Sequence, residues 1–186
     1  LINARKKSFD RFYSDCLVMS KKNVSSAAQL KFDPPRYDYY MVGSDQVWNY
    51  AHNGGDLNYL LYFVPDKSKT ISYASSFGLN TISDSFKKEY ARCLGNIQFL
   101  SVREDLGAEI IQSLTGRTPA VVLDPVFLLT ETDWQNVIDA NIGVRGPYIL
   151  LYTTKAKFYQ DFLRLTKYDT CGRRVVHIGT SIQLTD

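Results

Sequence analysis

Four short polar segments in this 186-residue chain each follow an apolar run of the kind that forms buried strands. They are Gly43-Ser44-Asp45, Ser75-Ser76-Phe77-Gly78, Arg103-Glu104 and Asp124-Pro125. In an open parallel sheet, the carboxyl ends of the strands lie along one edge, and ligands bind there. We therefore expect the four segments to meet in one surface, which we call the strand-end rim. It would carry two capped turns, one guanidinium and two or three carboxylates.

Arg103 is the residue of this rim best suited to an anion. A guanidinium at the start of a helix opposes the helix dipole unless a negative charge offsets it. Arginine also binds phosphate and carboxylate groups through two parallel hydrogen bonds. Ser75 and Ser76 could donate to the same anion, although simple turn formation explains them equally well. The alternative for Arg103 is an internal salt bridge to one of three acids, namely Glu104, Asp105 or Asp124.

Two aspartates of the rim are candidates for acid–base chemistry or for orienting a hydroxyl group. The alternatives are a helix cap for Asp45 and a loop-closing hydrogen bond for Asp124. Trp48 could stack on a sugar, but its surroundings favour packing in the core. His177 lies within an apolar strand and is interpreted as a core histidine, whereas His52 is a weak candidate beside two glycines.

Hydrophobic periodicity predicts the elements that would position these residues. Strands are expected at residues 37–42, 69–74, 98–102, 120–123, 148–152 and 174–178, with the fourth buried on both faces. Helices are expected around residues 9–17, after Gly43 with Ser44 or Asp45 as the N-cap, from Ser83, from about residue 104 to Gly116, after Thr130, and between the last two strands. Loops are expected at residues 20–29, 50–56 (a mobile segment) and 141–147 (a linker).

This alternation of strands and helices predicts an α/β protein with a mainly parallel sheet and flanking helices. Residues 1–140 would form a first domain. Residues 147–186 would begin a second, incomplete domain, because the chain stops soon after a βαβ unit.

The composition excludes several classes of protein. The net charge of +3 and the short, scattered basic pairs argue against nucleic-acid binding. The three cysteines contain no CxxC pair, which makes a metal site improbable and reduced thiols in the cytoplasm the simplest interpretation. No apolar run reaches the roughly 18 residues that suggest a membrane span. Sequence motifs for dinucleotide binding, ATP binding, serine hydrolases and zinc proteases are absent.

With their flanking residues, the four segments resemble the polysaccharide pyruvyl transferase family. The motifs are VGSDQVWN at 42–49, ISYASSFG at 71–78, SVRE at 101–104 and VLDP at 122–125, and they occur in the family's order. The resemblance covers residues 30–155, and its most specific part is GSDQVWN. It implies a GT-B-like plan of two Rossmann-like domains, the first of which lacks its initial strand region in this sequence. It also implies transfer of an enolpyruvyl unit from phosphoenolpyruvate to a sugar of a cell-surface glycan or exopolysaccharide. The acceptor would be a glycan or lipid-linked sugar, without a tightly bound organic cofactor.

The resemblance also assigns roles to residues. Arg103 falls on the arginine of the family's SVRE-type motif and would hold phosphoenolpyruvate, with Ser75 and Ser76 beside it. The residues expected to form the acceptor cleft are Gly43, Ser44, Asp45, Gln46, Trp48, Gly78 and Glu104. A late Ser-Phe-His-Gly type motif of the family is absent, so we expect this chain alone to lack part of its catalytic apparatus. Two alternatives stay open: a nucleotide-sugar glycosyltransferase of the same plan, and a non-catalytic glycan-binding relative.

Overall fold

The computed structural model describes residues 2–137, 144–153, 156–166, 170–179 and 183–185. The chain separates into two compact units, Leu1–Trp134 and Gln135–Asp186. Whether these correspond to the two Rossmann-like domains expected at residues 1–140 and 147–186 stays a prediction. No helix in the described ranges is long and apolar enough to cross a membrane.

The first unit alternates short strands with helices, as the periodicity predicts. Its strands are β1 (Tyr40–Val42), β2 (Thr70–Ser72), β3 (Ser101–Val102) and β4 (Ala120–Val121). Its helices are α1 (Ile2–Cys16), α2 (Ala27–Phe32), α3 (Tyr50–Asn53), α4 (Asp84–Gly95), α5 (Asp105–Thr115) and α6 (Glu131–Val137), the last of which runs across the boundary between the units. Short 3-10 helices cover Leu57–Leu60, Lys67–Lys69 and Pro125–Leu128.

The strands of this unit are parallel and follow one another in chain order. β1 pairs with β2, and β3 pairs with β4. Parallel bridges from Ile71 to Phe99 and from Ser75 to Val102 connect the two pairs. Ser72 and Ser101 strengthen this junction, because each hydroxyl donates to the other residue's carbonyl oxygen, at 2.9 and 2.6 Å. The open, parallel arrangement is confirmed, and it places the carboxyl ends of the strands on one edge.

The core lies where α4 and α5 meet the strands and the turn before α3. On α4 the side chains of Tyr90 and Leu94 are buried, and Ile97 is buried just beyond the end of the helix. On α5 the buried residues are Gly107, Ile110 and Ile111, and Gly116 ends the helix in the left-handed conformation, as predicted. Both helices are amphipathic and bury these residues in the common core.

Several of the predicted elements differ from the structure. Residues 20–29 are not all loop, since α2 begins at Ala27 with Ser26 as its N-cap. Residues 50–56 contain α3 and not only a loop. The strand at residues 120–123 is not buried on both faces, because within the described residues the face that carries Val121 and Leu123 is left uncovered. Val121 is 47% exposed and Leu123 69%.

The second unit contains the predicted βαβ unit. β5 (Tyr148–Tyr152) pairs in parallel with β6 (Arg174–Ile178), and α7 (Ala156–Thr166) lies between them in the sequence. A further strand, β7 (Gln183–Thr185), pairs antiparallel with β6. The sequence did not predict β7 because three residues are too few for a periodic signal. Residues 141–143 of the expected linker lie outside the described residues.

Arg117 joins the end of α4 to the segment that leads into β4. Its guanidinium donates to the carbonyl oxygens of Leu94, Gly95, Ile97 and Gln98, at distances from 2.5 to 3.2 Å. The last carbonyls of a helix lack partners within the helix and carry partial negative charge. A single cation therefore satisfies several acceptors at once.

We expect Arg117→Met to lower the free energy of unfolding by about 2 kcal/mol, because hydrogen bonds to a charged group each contribute about 1.5–3 kcal/mol when they are kept from water. Arg117→Lys should recover only part of this, since an ammonium lacks the planar fork. Urea unfolding measures both. The matched control is Arg92→Met, which removes an exposed ion pair with Glu89 and should cost below about 1 kcal/mol. Equal losses at the two arginines would contradict this interpretation.

Candidate functional site at the strand-end rim

Arg103 lies at the centre of the strand-end rim. It follows β3 directly and precedes Glu104, the N-cap of α5, while its backbone N–H donates to the carbonyl oxygen of Ser75 at 3.2 Å. Its Nη1 donates to Oδ2 of Asp124 at 2.9 Å. Its Nη2 is 3.8 Å from Oδ1 of Asp45, and its Nε is 3.7 Å from Oε2 of Glu104. The rim segments that sequence reasoning grouped together therefore do meet at one guanidinium.

Asp124 is held by three groups. Its Oδ1 accepts from the backbone N–H of Val126 at 3.1 Å, which caps the 3-10 helix after it, and its Oδ2 accepts from Arg103. Hydrogen bonds from Val126, Arg103 and the Ser44 hydroxyl lower the pKa of this carboxyl below its ordinary value of 3.8. The internal salt bridge and the loop-closing bond, both alternatives to a ligand role, are thus present.

The charges of the rim do not balance. One guanidinium lies among the carboxylates of Asp45, Glu104 and Asp124, so this cluster carries a net charge of −2 at neutral pH. The Asp45 carboxylate is 85% exposed and well hydrated, whereas that of Asp124 is 24% exposed. An anionic ligand at Arg103 would therefore meet local repulsion as well as attraction.

The two serines of the second segment are buried, and their hydroxyl groups bond within the protein. Ser75 Oγ donates to the carbonyl oxygen of Val42 at 3.2 Å, and Ser76 Oγ donates to Oε1 of Glu104. Ser76 Oγ also accepts from the backbone N–H of Gly78 at 3.0 Å. This corrects the expectation that both hydroxyls face an anion. The serines instead shape the turn and fix the carboxylate that stands beside Arg103.

Gly43 permits a close approach between two strand ends. Its φ is +118°, and a Cβ added there would lie 2.1 Å from the carbonyl oxygen of Tyr73. Gly78 likewise permits a close approach of the Gln46 side chain, which would lie 2.2 Å from an added Cβ.

The predicted helix with Ser44 or Asp45 as its N-cap is wrong. The helix starts only at Tyr50, where the N-cap is the side chain of Asn49.

Trp48 offers no ring surface to a ligand, although it is among the expected cleft residues. Its side chain is fully buried and packs against Phe77, with ring centroids 5.2 Å apart. Its Nε1 donates to the carbonyl oxygen of Tyr59 at 2.9 Å, and its own carbonyl accepts from the Tyr90 hydroxyl at 3.1 Å. The alternative interpretation, packing in the core, is correct, and Trp48 helps to hold the backbone of Tyr59.

A cleft of about 500 Å³ opens on the side of Asp45. We call it the Asp45 cleft, and it is lined by Asp45, Gln46, Val47, His52, Asn53 and Tyr59. Sequence reasoning included Asp45 and Gln46, gave little weight to His52 and missed Tyr59. The only signal for Tyr59 is an aromatic residue in a short apolar run, which is also typical of a core position.

His177 belongs to the second unit and is buried on β6, as a core histidine would be. Its ring stacks on Tyr159 with centroids 4.2 Å apart, and its Nε2 is 3.0 Å from the carbonyl oxygen of Thr153. Within the described ranges, no group of three or more His, Cys, Asp or Glu side chains is arranged to hold a metal ion.

The lowered pKa of Asp124 predicts how the stability depends on pH. A carboxyl whose pKa is lower in the folded state contributes stability above its ordinary pKa, and this contribution is lost as the pH falls through the folded value. We expect Asp124→Asn to be less stable than the wild type at pH 7 and this difference to shrink as the pH falls below 3.8. Thermal unfolding of both proteins from pH 7 to pH 3 measures it. A difference that is constant over this range would contradict the assignment.

Comparison with known proteins gives one match. A family model described as polysaccharide pyruvyl transferase matches residues 2–177, which include all four rim segments and the Asp45 cleft. Searches of curated proteins and of solved structures gave no match. The matched range covers nearly the whole chain. The chain therefore belongs to the polysaccharide pyruvyl transferase family, a family of transferases.

Proposed function

We propose that the protein transfers a pyruvyl group from phosphoenolpyruvate to two hydroxyl groups of a sugar in a cell-surface glycan or exopolysaccharide. The acceptor would be a glycan or a lipid-linked sugar. The observation that carries this proposal is the position of Arg103 at the strand-end rim of a chain of this family. Two of its guanidinium nitrogens, Nη2 and Nε, are 3.8 and 3.7 Å from carboxylate oxygens, which is beyond hydrogen-bond distance. We also propose a GT-B-like two-domain plan, a cytoplasmic location and no tightly bound organic cofactor.

The proposed reaction needs no oxidant or reductant. A sugar hydroxyl oxygen forms a bond to C2 of phosphoenolpyruvate and loses its proton, while the methylene carbon gains one proton and becomes a methyl group, so this step releases no net proton. The bond between C2 and the phosphate oxygen then breaks. A second sugar hydroxyl forms the second C–O bond and gives its proton to the departing phosphate. The products are a pyruvyl ketal and inorganic phosphate.

In this proposal Arg103 binds the donor. Its Nη1 is occupied by Asp124, but the contacts of Nη2 and Nε, at 3.8 and 3.7 Å, exceed hydrogen-bond distance. These two nitrogens are therefore available to a phosphate or carboxylate oxygen of phosphoenolpyruvate. Asp124 acts as a positioning residue that fixes the guanidinium.

Of the three carboxylates near Arg103, Asp45 is the best candidate for the base that removes the proton of the acceptor hydroxyl. It is the most exposed of the three carboxylates, it lies 3.8 Å from the guanidinium, and it also lines the Asp45 cleft. A base must lie within hydrogen-bond reach of the proton that it removes. Asp45 borders both the proposed donor arginine and the Asp45 cleft, whereas Glu104 is bound to Ser76.

Arg103→Ala should lower kcat/KM for phosphoenolpyruvate by about 100-fold, because it removes charged hydrogen bonds worth about 1.5–3 kcal/mol to the donor. Arg103→Lys should retain part of the activity. Release of phosphate with a panel of sugar acceptors measures the rates. Thermal unfolding shows whether each variant is folded, and Arg92→Ala is the control for loss of a surface arginine. Equal activity of the wild type and Arg103→Ala would refute the donor assignment.

Asp45→Asn should separate donor binding from turnover. Removing one negative charge near Arg103 should tighten phosphoenolpyruvate binding about twofold to threefold, since the exposed carboxylate is largely screened by water. The same change should lower kcat by about 100-fold or more, because the base is lost. Calorimetry gives the first quantity and steady-state rates give the second. Weaker donor binding combined with an unchanged kcat would contradict the role given to Asp45.

A further inference from the structure

We propose that the Asp45 cleft binds a neutral pyranose ring of the acceptor, with the ring of Tyr59 as its stacking surface and His52 as a partner for its hydroxyl groups. The proposal rests on the proposed function, because it identifies the place where the acceptor of that reaction binds. Neither Tyr59 nor a role for His52 follows from the family's motifs in this sequence.

The size and charge of the cleft fit a neutral sugar. Its volume of about 500 Å³ lies in the range of roughly 300–1,000 Å³ that small-ligand sites occupy. Its lining contains one acid, two amide side chains, one histidine and one tyrosine, but no lysine or arginine. A phosphate or carboxylate ligand would find a carboxylate there and no fixed cation. A polyhydroxylated, uncharged ligand meets no such penalty.

The backbone under Tyr59 is held from two sides. Its carbonyl oxygen accepts from the buried indole of Trp48, and the Asp56 side chain caps the 3-10 helix by accepting from the N–H of Asn58 at 2.9 Å. Leu60, the next residue, is buried in the core. The Tyr59 side chain is nevertheless 45% exposed. A fixed, half-exposed aromatic ring offers an apolar face and a polar hydroxyl at little cost in conformational entropy.

The wall that carries His52 is also fixed. The Asn53 side chain donates to the carbonyl oxygen of Val47 at 2.8 Å and accepts from the N–H of Gly55 at 2.9 Å. Tyr50 stacks on Phe86 of α4, with ring centroids 4.5 Å apart. These contacts hold α3 in place, while His52 itself is exposed.

Three polar side chains of the cleft are available to a ligand. Within the described part of the chain, the His52 imidazole and the Tyr59 hydroxyl form no hydrogen bond. Among the same residues, the Asp45 carboxylate has only its 3.8 Å contact with Arg103. A sugar whose apolar face covers Tyr59 could thus bond through its hydroxyls to Asp45 and His52. Because Asp45 touches both the cleft and the donor arginine, a hydroxyl bound there would lie next to the proposed donor site.

Saturation-transfer NMR with methyl glycosides of glucose, galactose, mannose and N-acetylmannosamine tests the proposal without requiring turnover. Tyr59→Ala should weaken binding of the best pyranoside at least about fivefold, Tyr59→Phe should retain most of it, and His52→Gln should weaken it about twofold to fivefold. Tyr39→Ala is the matched control, because Tyr39 is a 60% exposed tyrosine outside the cleft. Turnover assays should show a raised KM for the acceptor and an unchanged KM for phosphoenolpyruvate in Tyr59→Ala.

Each failure has its own signature. Binding that Tyr59→Ala leaves unchanged, or weakens no more than Tyr39→Ala does, overturns the cleft proposal, as does the absence of saturation transfer from every pyranoside. Phosphate release from phosphoenolpyruvate would then still support the proposed function. Pyranoside binding that depends on Tyr59, in a protein that does not consume phosphoenolpyruvate with any acceptor, would keep the cleft and refute pyruvyl transfer.

Discussion

The ion pair between Arg103 and Asp124 connects the ends of two parallel strands, and the arrangement of the rim depends on it. The Arg103 backbone also bonds to Ser75, so this residue links the ends of β2, β3 and β4. Two more carboxylates, those of Asp45 and Glu104, lie within 4 Å of the same guanidinium. Arginine keeps its charge at every relevant pH, so it can hold these acids together permanently. A neutral residue would leave them mutually repelling.

The sequence was sufficient to predict that these segments meet, but not which atoms would bond. Parallel strands end on the same edge of a sheet, so the order of strands and helices alone brings Asp45, Arg103 and Asp124 near one another. Which of three acids would pair with Arg103 depends on the strand order and on the turn after β4. Because β4 lies beside β3, Asp124 comes within 2.9 Å of the guanidinium. No local pattern contains that information.

The errors around residues 44–48 have a tertiary cause. Ser44, Asp45 and Asn49 are all good helix caps, and local preference does not choose among them. The choice is made by hydrogen bonds to the second segment, from Ser76 N–H to the Asp45 carbonyl and from Trp48 N–H to the Ser76 carbonyl. These bonds hold the turn in a non-helical form, so the helix begins only after its N-cap, Asn49. They also direct Trp48 into the core, where it supports Tyr59.

The excess of negative charge at the rim is compatible with pyruvyl transfer when the whole reaction is considered. Carboxylates near Arg103 would weaken the binding of the proposed donor, the anion phosphoenolpyruvate, in its ground state. When phosphate leaves C2, however, that carbon gains the positive character of an oxocarbenium ion, as in glycoside hydrolysis. A nearby carboxylate that stays ionised, such as Glu104, would then stabilise the charge that develops. Interactions that are stronger in the transition state than in the ground state accelerate a reaction. The same acids that make the rim a weak anion site would therefore favour the step in which the ketal carbon forms.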